Sequence, residues 1–147
     1  MQTHCAPPAA AACIRGDGEH PGLRGRVTFT PCSRGVLVTA DISGLPDSET
    51  GFFALHIHEG PDCCGEGFPN TSGHYNPEGK PHPQHAGDLP PLVSCGGRAW
   101  LSVLTNRFRL GEIIGRTVVI HSHPDDFRTQ PSGGAGSKIA CGVIRCT

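Results

Sequence analysis

Residues 36–42 read VLVTADI, with Val36, Val38, Ala40 and Ile42 on one parity and Leu37, Thr39 and Asp41 on the other. A period of two sends the first set to one face of a β-strand and the second set to the opposite face. The same alternation recurs on both sides of this stretch. Val27 and Phe29 sit among Arg26, Thr28 and Thr30, and Leu55 and Ile57 sit among Ala54, His56 and His58. Further on come Ala99, Leu101 and Val103, then Val118 with Ile120, then Ile139 with Val143. Ser43-Gly44, Pro90-Pro91, Gly96-Gly97 and the glycine-rich residues 132–137 punctuate these runs with turn chemistry. About seven short strands so separated predict an all-β, antiparallel sandwich or barrel.

Composition agrees. The 147 residues suit one domain, residues 1–147, with an alanine-rich stretch over residues 1–10 expected as a flexible extension. Gly and Pro account for 21 and 14 residues and interrupt almost every window long enough for a helix. A net charge of −1 and no polybasic run argue against nucleic acid and membrane surfaces as partners. No apolar stretch approaches the ~20 residues of a membrane-crossing helix. The N-terminus lacks a basic region ahead of an apolar one, so a cytoplasmic protein is expected as the chain stands, and an exported or periplasmic one if a leader is missing.

Histidine carries the unusual chemistry. His56-Ile57-His58 puts two imidazoles on one face of a strand, with Leu55 and Ile57 turned to the core. Alone, such a pair reads most simply as two exposed histidines. Residues 60–91, a long stretch with little strand pattern, add His74, His82, His85 and Asp88, and His121 follows. Six histidines and a carboxylate from one loop and two strands supply ligands for two neighbouring first-row metal sites.

The stretches GFFALHIHEG (51–60), GHYNPEGKPH (73–82), HAGDLPPL (85–92), GRTVVIH (115–121) and GSKIACGVI (136–144) resemble, in order, the successive motifs of the copper/zinc superoxide dismutase family. The resemblance implies an antiparallel Greek-key β-barrel with long metal-binding and channel loops. It implies copper on His56, His58, His74 and His121, and zinc on His74, His82, His85 and Asp88, with His74 bridging. Asp125 matches the family's aspartate that hydrogen-bonds ligands of both metals. The implied reaction is dismutation of superoxide to dioxygen and hydrogen peroxide, with His74 taking part in proton transfer. The resemblance leaves open a homodimer, because family dimers use more than one interface.

Several features depart from the family pattern. Lys138 stands where the family usually has arginine; it keeps the charge that steers a small anion but loses the planar fork. Arg128 is a weaker candidate for the same field. Only Pro83-Gln84 separates His82 from His85, and residues 126–138 form an abbreviated loop. The resemblance pairs Cys141 with a cysteine just after the His-x-His strand, where Cys63 and Cys64 both stand. HEGPDC keeps the family's short bacterial spacing, so the resemblance favours Cys63, with Cys64 a competitor. Cys5, Cys13, Cys32, Cys95 and Cys146 read by default as small buried residues or surface thiols. The GRTVVIH match selects His121 over His123, which is expected at the channel mouth. Asn70-Thr71-Ser72 is a formal glycosylation sequon.

Rival functions must account for the same residues. A zinc hydrolase requires a water-bearing metal and a general base, and HIHEGPD lacks the acidic-histidine continuation of two-metal hydrolases. An interaction module leaves the ligand set unexplained. The strongest alternative is a non-catalytic, dismutase-like copper/zinc-binding or metal-buffering protein, although all four copper histidines are present.

Overall fold

The computed structural model describes residues 4–147. The described residues form nine strands: β1 (Ala10–Gly16), β2 (Arg24–Cys32), β3 (Gly35–Ser43), β4 (Phe52–Phe53), β5 (Leu55–His58), β6 (Leu92–Val93), β7 (Ala99–Thr105), β8 (Thr117–His121) and β9 (Lys138–Cys146). Seven of them form one curled antiparallel sheet in the order β5-β8-β9-β1-β2-β3-β7, and β4 pairs with β6. The crossovers from β3 to β5 and back to β7 give the Greek-key arrangement. A single-turn helix, α1 (Leu110–Ile113), follows β7, and no helix among the described residues is long and apolar enough to cross a membrane.

The alternation in β3 places Val36, Val38, Ala40 and Ile42 in the core at 3% exposure or less. Val27 and Phe29 from β2, Leu55 and Ile57 from β5, and Val118 and Ile120 from β8 join them. At roughly 25 cal/mol per Å² of apolar surface removed from water, each such side chain contributes on the order of 1.5–3 kcal/mol. β9 departs from simple alternation. Ile120 pairs with Ala140 while His121 pairs with Lys138, so Ile139 is a bulge. The extra residue shifts the parity, and Ile144, not Val143, completes the inner face.

β1 is absent from the expected strands, because AAACIRG carries no β-branched alternation. Its place comes from its neighbours, β2 on one side and β9 on the other. Of residues 1–10, expected as a flexible extension, the described part makes these contacts with the sheet. Ala6 and Ala9 donate to the carbonyls of Pro31 and Phe29, Cys5 is bridged to Cys32, and Ala10 already belongs to β1. Met1–Thr3 lie outside the described residues. Cys63, not Cys64, is bonded to Cys141, and Cys13, Cys64, Cys95 and Cys146 are exposed thiols.

Candidate metal centre

β5 turns His56 and His58 outward from the barrel, yet both are buried, because the loop of residues 59–91 folds back over them. That return is pinned by backbone pairing. Ile57 donates to Gly87 at 2.9 Å, Tyr75 donates to Ile57 at 2.8 Å, and Gly87 donates to Tyr75 at 2.9 Å. A Cβ on Gly87 would lie 2.2 Å from the Ile57 carbonyl oxygen, so this approach requires glycine. Bridges between His58 and His74 and between His56 and Asp88 carry the loop residues onto the strand histidines. β8 ends at His121, and the turn after it brings in Asp125.

All seven groups end up packed together. His56, His58, His121 and His74 form one donor set, and His74, His82, His85 and Asp88 form a second, with the donor atoms of each set within 4.8 Å of one another. In the second set His74 Nδ1 lies 2.8 Å from Asp88 Oδ1 and 3.2 Å from His85 Nδ1, and His82 Nδ1 lies 3.0 Å from Asp88 Oδ2. A tetrahedron with metal–ligand distances of about 2.0–2.1 Å has edges of about 3.3 Å, close to these separations. In the first set His58 Nε2 and His121 Nε2 stand 3.2 Å apart.

Hydrogen bonds fix which nitrogen of each ring is left bare. His56 Nε2 donates to Asp125 Oδ2 at 2.9 Å and His82 Nε2 donates to Asp125 Oδ1 at 2.8 Å. His58 Nδ1 donates to the Ser72 carbonyl at 2.9 Å. The opposite nitrogens of His56 and His82, with Nε2 of His74, are buried without any hydrogen-bond partner. Orphaned buried imidazole nitrogens are costly, and a bound cation satisfies them. The residues present therefore fit two metal ions.

Electrostatics point the same way. Burial, reinforced by the neighbouring His121, pushes His58 down to about 2, and burial with His56 and His74 pushes His121 down to about 3. Burial also lowers His56 and His85. Neutral imidazole is the ligating form. Burial alone would raise Asp125, but hydrogen bonds from His56, His82 and the Phe127 amide outweigh it and hold the carboxyl well below its usual range. Asp88 is lowered as well, the hydrogen bond from His74 overcoming its burial.

A family model described as copper/zinc superoxide dismutase (SODC) matches residues 23–144. The chain belongs to this family. It is 38% identical over 136 residues to "Superoxide dismutase [Cu-Zn]" of Legionella pneumophila, covering 87% of this chain and 82% of that relative. It is 36% identical over 155 residues to "Superoxide dismutase [Cu-Zn] 2" of Aquifex aeolicus, covering 93% and 86%. With "Superoxide dismutase [Cu-Zn]" of Deinococcus radiodurans it shares 35% identity over 145 residues, covering 84% and 78%.

In this copper/zinc superoxide dismutase-family chain the centre opens to solvent through a cavity of about 440 Å³ lined by His58, His74, His85, His121, Ser132 and Lys138, among others. Lys138 Nζ donates to Thr71 Oγ1 at 2.7 Å and to the Ser72 carbonyl at 3.0 Å, the same carbonyl that orients His58. His123 is exposed, bonded to Ser122, and is not among the side chains lining the opening; Arg128 is exposed and also stands apart from it. Thr71 and Ser72, which the sequence offers only as part of a sequon, turn out to anchor Lys138. Arg107 and Gln130 also hold the loop that carries His82 and His85, and no sequence pattern singles them out.

Proposed function

We propose that this chain is a superoxide dismutase that converts two superoxide anions and two protons into dioxygen and hydrogen peroxide. Its cofactors are copper and zinc. His56, His58, His74 and His121 would hold the copper, and His74, His82, His85 and Asp88 would hold the zinc. Copper supplies the one-electron redox chemistry and zinc a fixed positive charge.

The observation that carries this reading is His74, whose Nδ1 lies within the second donor set while its buried Nε2 has no hydrogen-bond partner. One ring would thereby be shared by both donor sets, and its Nε2 is the atom placed to hold a proton and deliver it toward the product. Asp125 keeps His56 and His82 in the tautomer that bares Nδ1. Lys138 supplies the positive charge beside the opening, which draws in a small anion and holds it. Exposed Phe52, Val93, Trp100 and Leu104 support self-association as a homodimer. Two disulfides favour an oxidising compartment.

The test is superoxide consumption by protein reconstituted with copper and zinc, beside His121→Ala. Rapid consumption that disappears in the variant is the expected result. Two bound metals without turnover would refute the dismutase reading in favour of metal buffering.

A further inference from the structure

The loop joining His82 to His85 is too short to satisfy its own backbone. Within it, Gln84 donates to the Pro81 carbonyl at 2.8 Å and the His85 amide is taken by Asp88 Oδ2 at 3.0 Å. The remaining groups beside the ligands are met from outside. Gln130 Oε1 accepts from the His82 amide at 2.8 Å and Gln130 Nε2 donates to the His82 carbonyl at 2.7 Å. This closed pair of bonds imitates the pairing of a neighbouring strand. Arg107, just beyond β7, donates from one guanidinium nitrogen to the carbonyls of Pro83 at 2.8 Å and His85 at 3.3 Å.

We propose that Gln130 and Arg107 are positioning residues for the zinc-side ligands, which fix the abbreviated His82–His85 loop in its coordinating geometry and thereby set zinc affinity. The inference rests on the metal assignment proposed above. His82 is held at two points, its backbone by Gln130 and its ring by Asp125, and both belong to the segment after β8. A ring with its main chain and its far nitrogen both fixed has little freedom left to swing Nδ1 away from its partners. Pro83 and His85 are restrained in the same way from the other side by Arg107. Neither brace belongs to the hydrophobic core, and both side chains are exposed at the surface. The copper-side histidines of β5 and β8 depend on neither, since their positions come from strand pairing.

These facts separate a positioning role from a general structural one. The experiment uses the full chain, with Zn(II) affinity from chelator competition, the visible spectrum of Co(II) in the zinc site, Cu(II) affinity, and the unfolding midpoint of the metal-free protein. Gln130→Ala and Arg107→Met are expected to weaken Zn(II) binding by about 10–100-fold and to alter the Co(II) spectrum, as loss of outer ligand supports does elsewhere. Cu(II) affinity and the metal-free unfolding midpoint stay at the wild-type values. Arg107→Lys, which keeps one charge but loses the planar donor, falls between wild type and Arg107→Met. Unchanged Zn(II) affinity in both variants would overturn the proposal. So would a fall in metal-free stability or Cu(II) affinity in step with Zn(II), because that is the mark of a merely structural contact. A wild-type chain that binds no Zn(II) would instead overturn the metal assignment, and the proposal with it.

Discussion

Gly133 presses against the hydrogen bond that links the two halves of the metal centre. A Cβ at this position would lie 2.0 Å from Asp125 Oδ1 and 2.6 Å from His82 Nε2, and the backbone is left-handed at φ +73°. Gly133→Ala therefore carries two costs. The left-handed conformation costs about 1–2 kcal/mol for a residue with a Cβ. Relief of the contact requires Asp125 Oδ1 to retreat by more than 1 Å to reach ordinary contact at 3.4 Å. That retreat breaks its 2.8 Å bond with His82, a charge-assisted interaction of about 1.5–3 kcal/mol. Together the metal-loaded protein loses about 2.5–5 kcal/mol. Gly134→Ala is the internal control, since its φ is +62° but the nearest atom, Asp126 Oδ2, is 3.6 Å away. It should lose only the conformational part. Denaturant unfolding of both loaded variants, with zinc affinity measured in parallel, reads the difference. Equal losses in the two variants, with wild-type zinc affinity in both, would refute the role assigned to the Asp125–His82 bond.

Other outcomes follow from the same geometry. Lys138→Met should slow superoxide consumption about tenfold and flatten its dependence on ionic strength, as expected when a steering charge is removed. Burial lowers the Lys138 ammonium below its ordinary 10.5, so activity should fall as pH rises through the lowered value. In Lys138→Arg that alkaline loss moves upward, because guanidinium stays charged. Metal-free protein should lose stability on acidification: His58 and His121, at about 2 and 3, stay neutral where the unfolded chain, near 6.5, takes up protons. Each contributes a slope of about 1.4 kcal/mol per pH unit below 6.5, and the depressed Asp125 adds to it in the same direction at lower pH. Denaturant titrations between pH 4 and pH 8 check this, and a pH-independent midpoint contradicts it. Cys63→Ser opens a bridge with a sequence separation of 78 residues, which chain entropy rates at about 4.5 kcal/mol, whereas Cys64→Ser removes an exposed thiol and should leave the melting temperature nearly unchanged.

How much of this was legible in the sequence depends on whether the physics is local. The period-two pattern of β3 survives folding intact, because both its neighbours, β2 and β7, pair with it in continuous register. β9 does not keep its pattern, since one bulged residue reverses the parity beyond Ile139, and nothing in ACGVI announces a bulge. β1 has small residues where strand signals are usually read; alanine has a low strand preference, and the sheet on both sides decides the matter. The two donor sets were readable because metal chemistry restricts residue type strongly. Gln130 and Arg107 were not, because a hydrogen bond to a backbone carbonyl can be made by many side chains from many places.

The two donor sets are built by different means, and this shapes how they can fail. The rings of His56, His58 and His121, proposed for copper, stand on paired strands whose inner faces form the core, so moving them means disrupting the barrel. The rings of His82 and His85, proposed for zinc, stand on a loop held by hydrogen bonds from residues 107, 125 and 130 and by Asp88 on the His85 amide. Each such bond is worth about 1 kcal/mol and each can be lost alone. Two groups tie the sets together, His74 directly and Asp125 through one carboxylate shared by His56 and His82. A disturbance at His82 or His85 therefore reaches the first set through these two side chains and through the backbone bridge between His56 and Asp88. His74 is the only one of the two that contributes a donor atom to both sets.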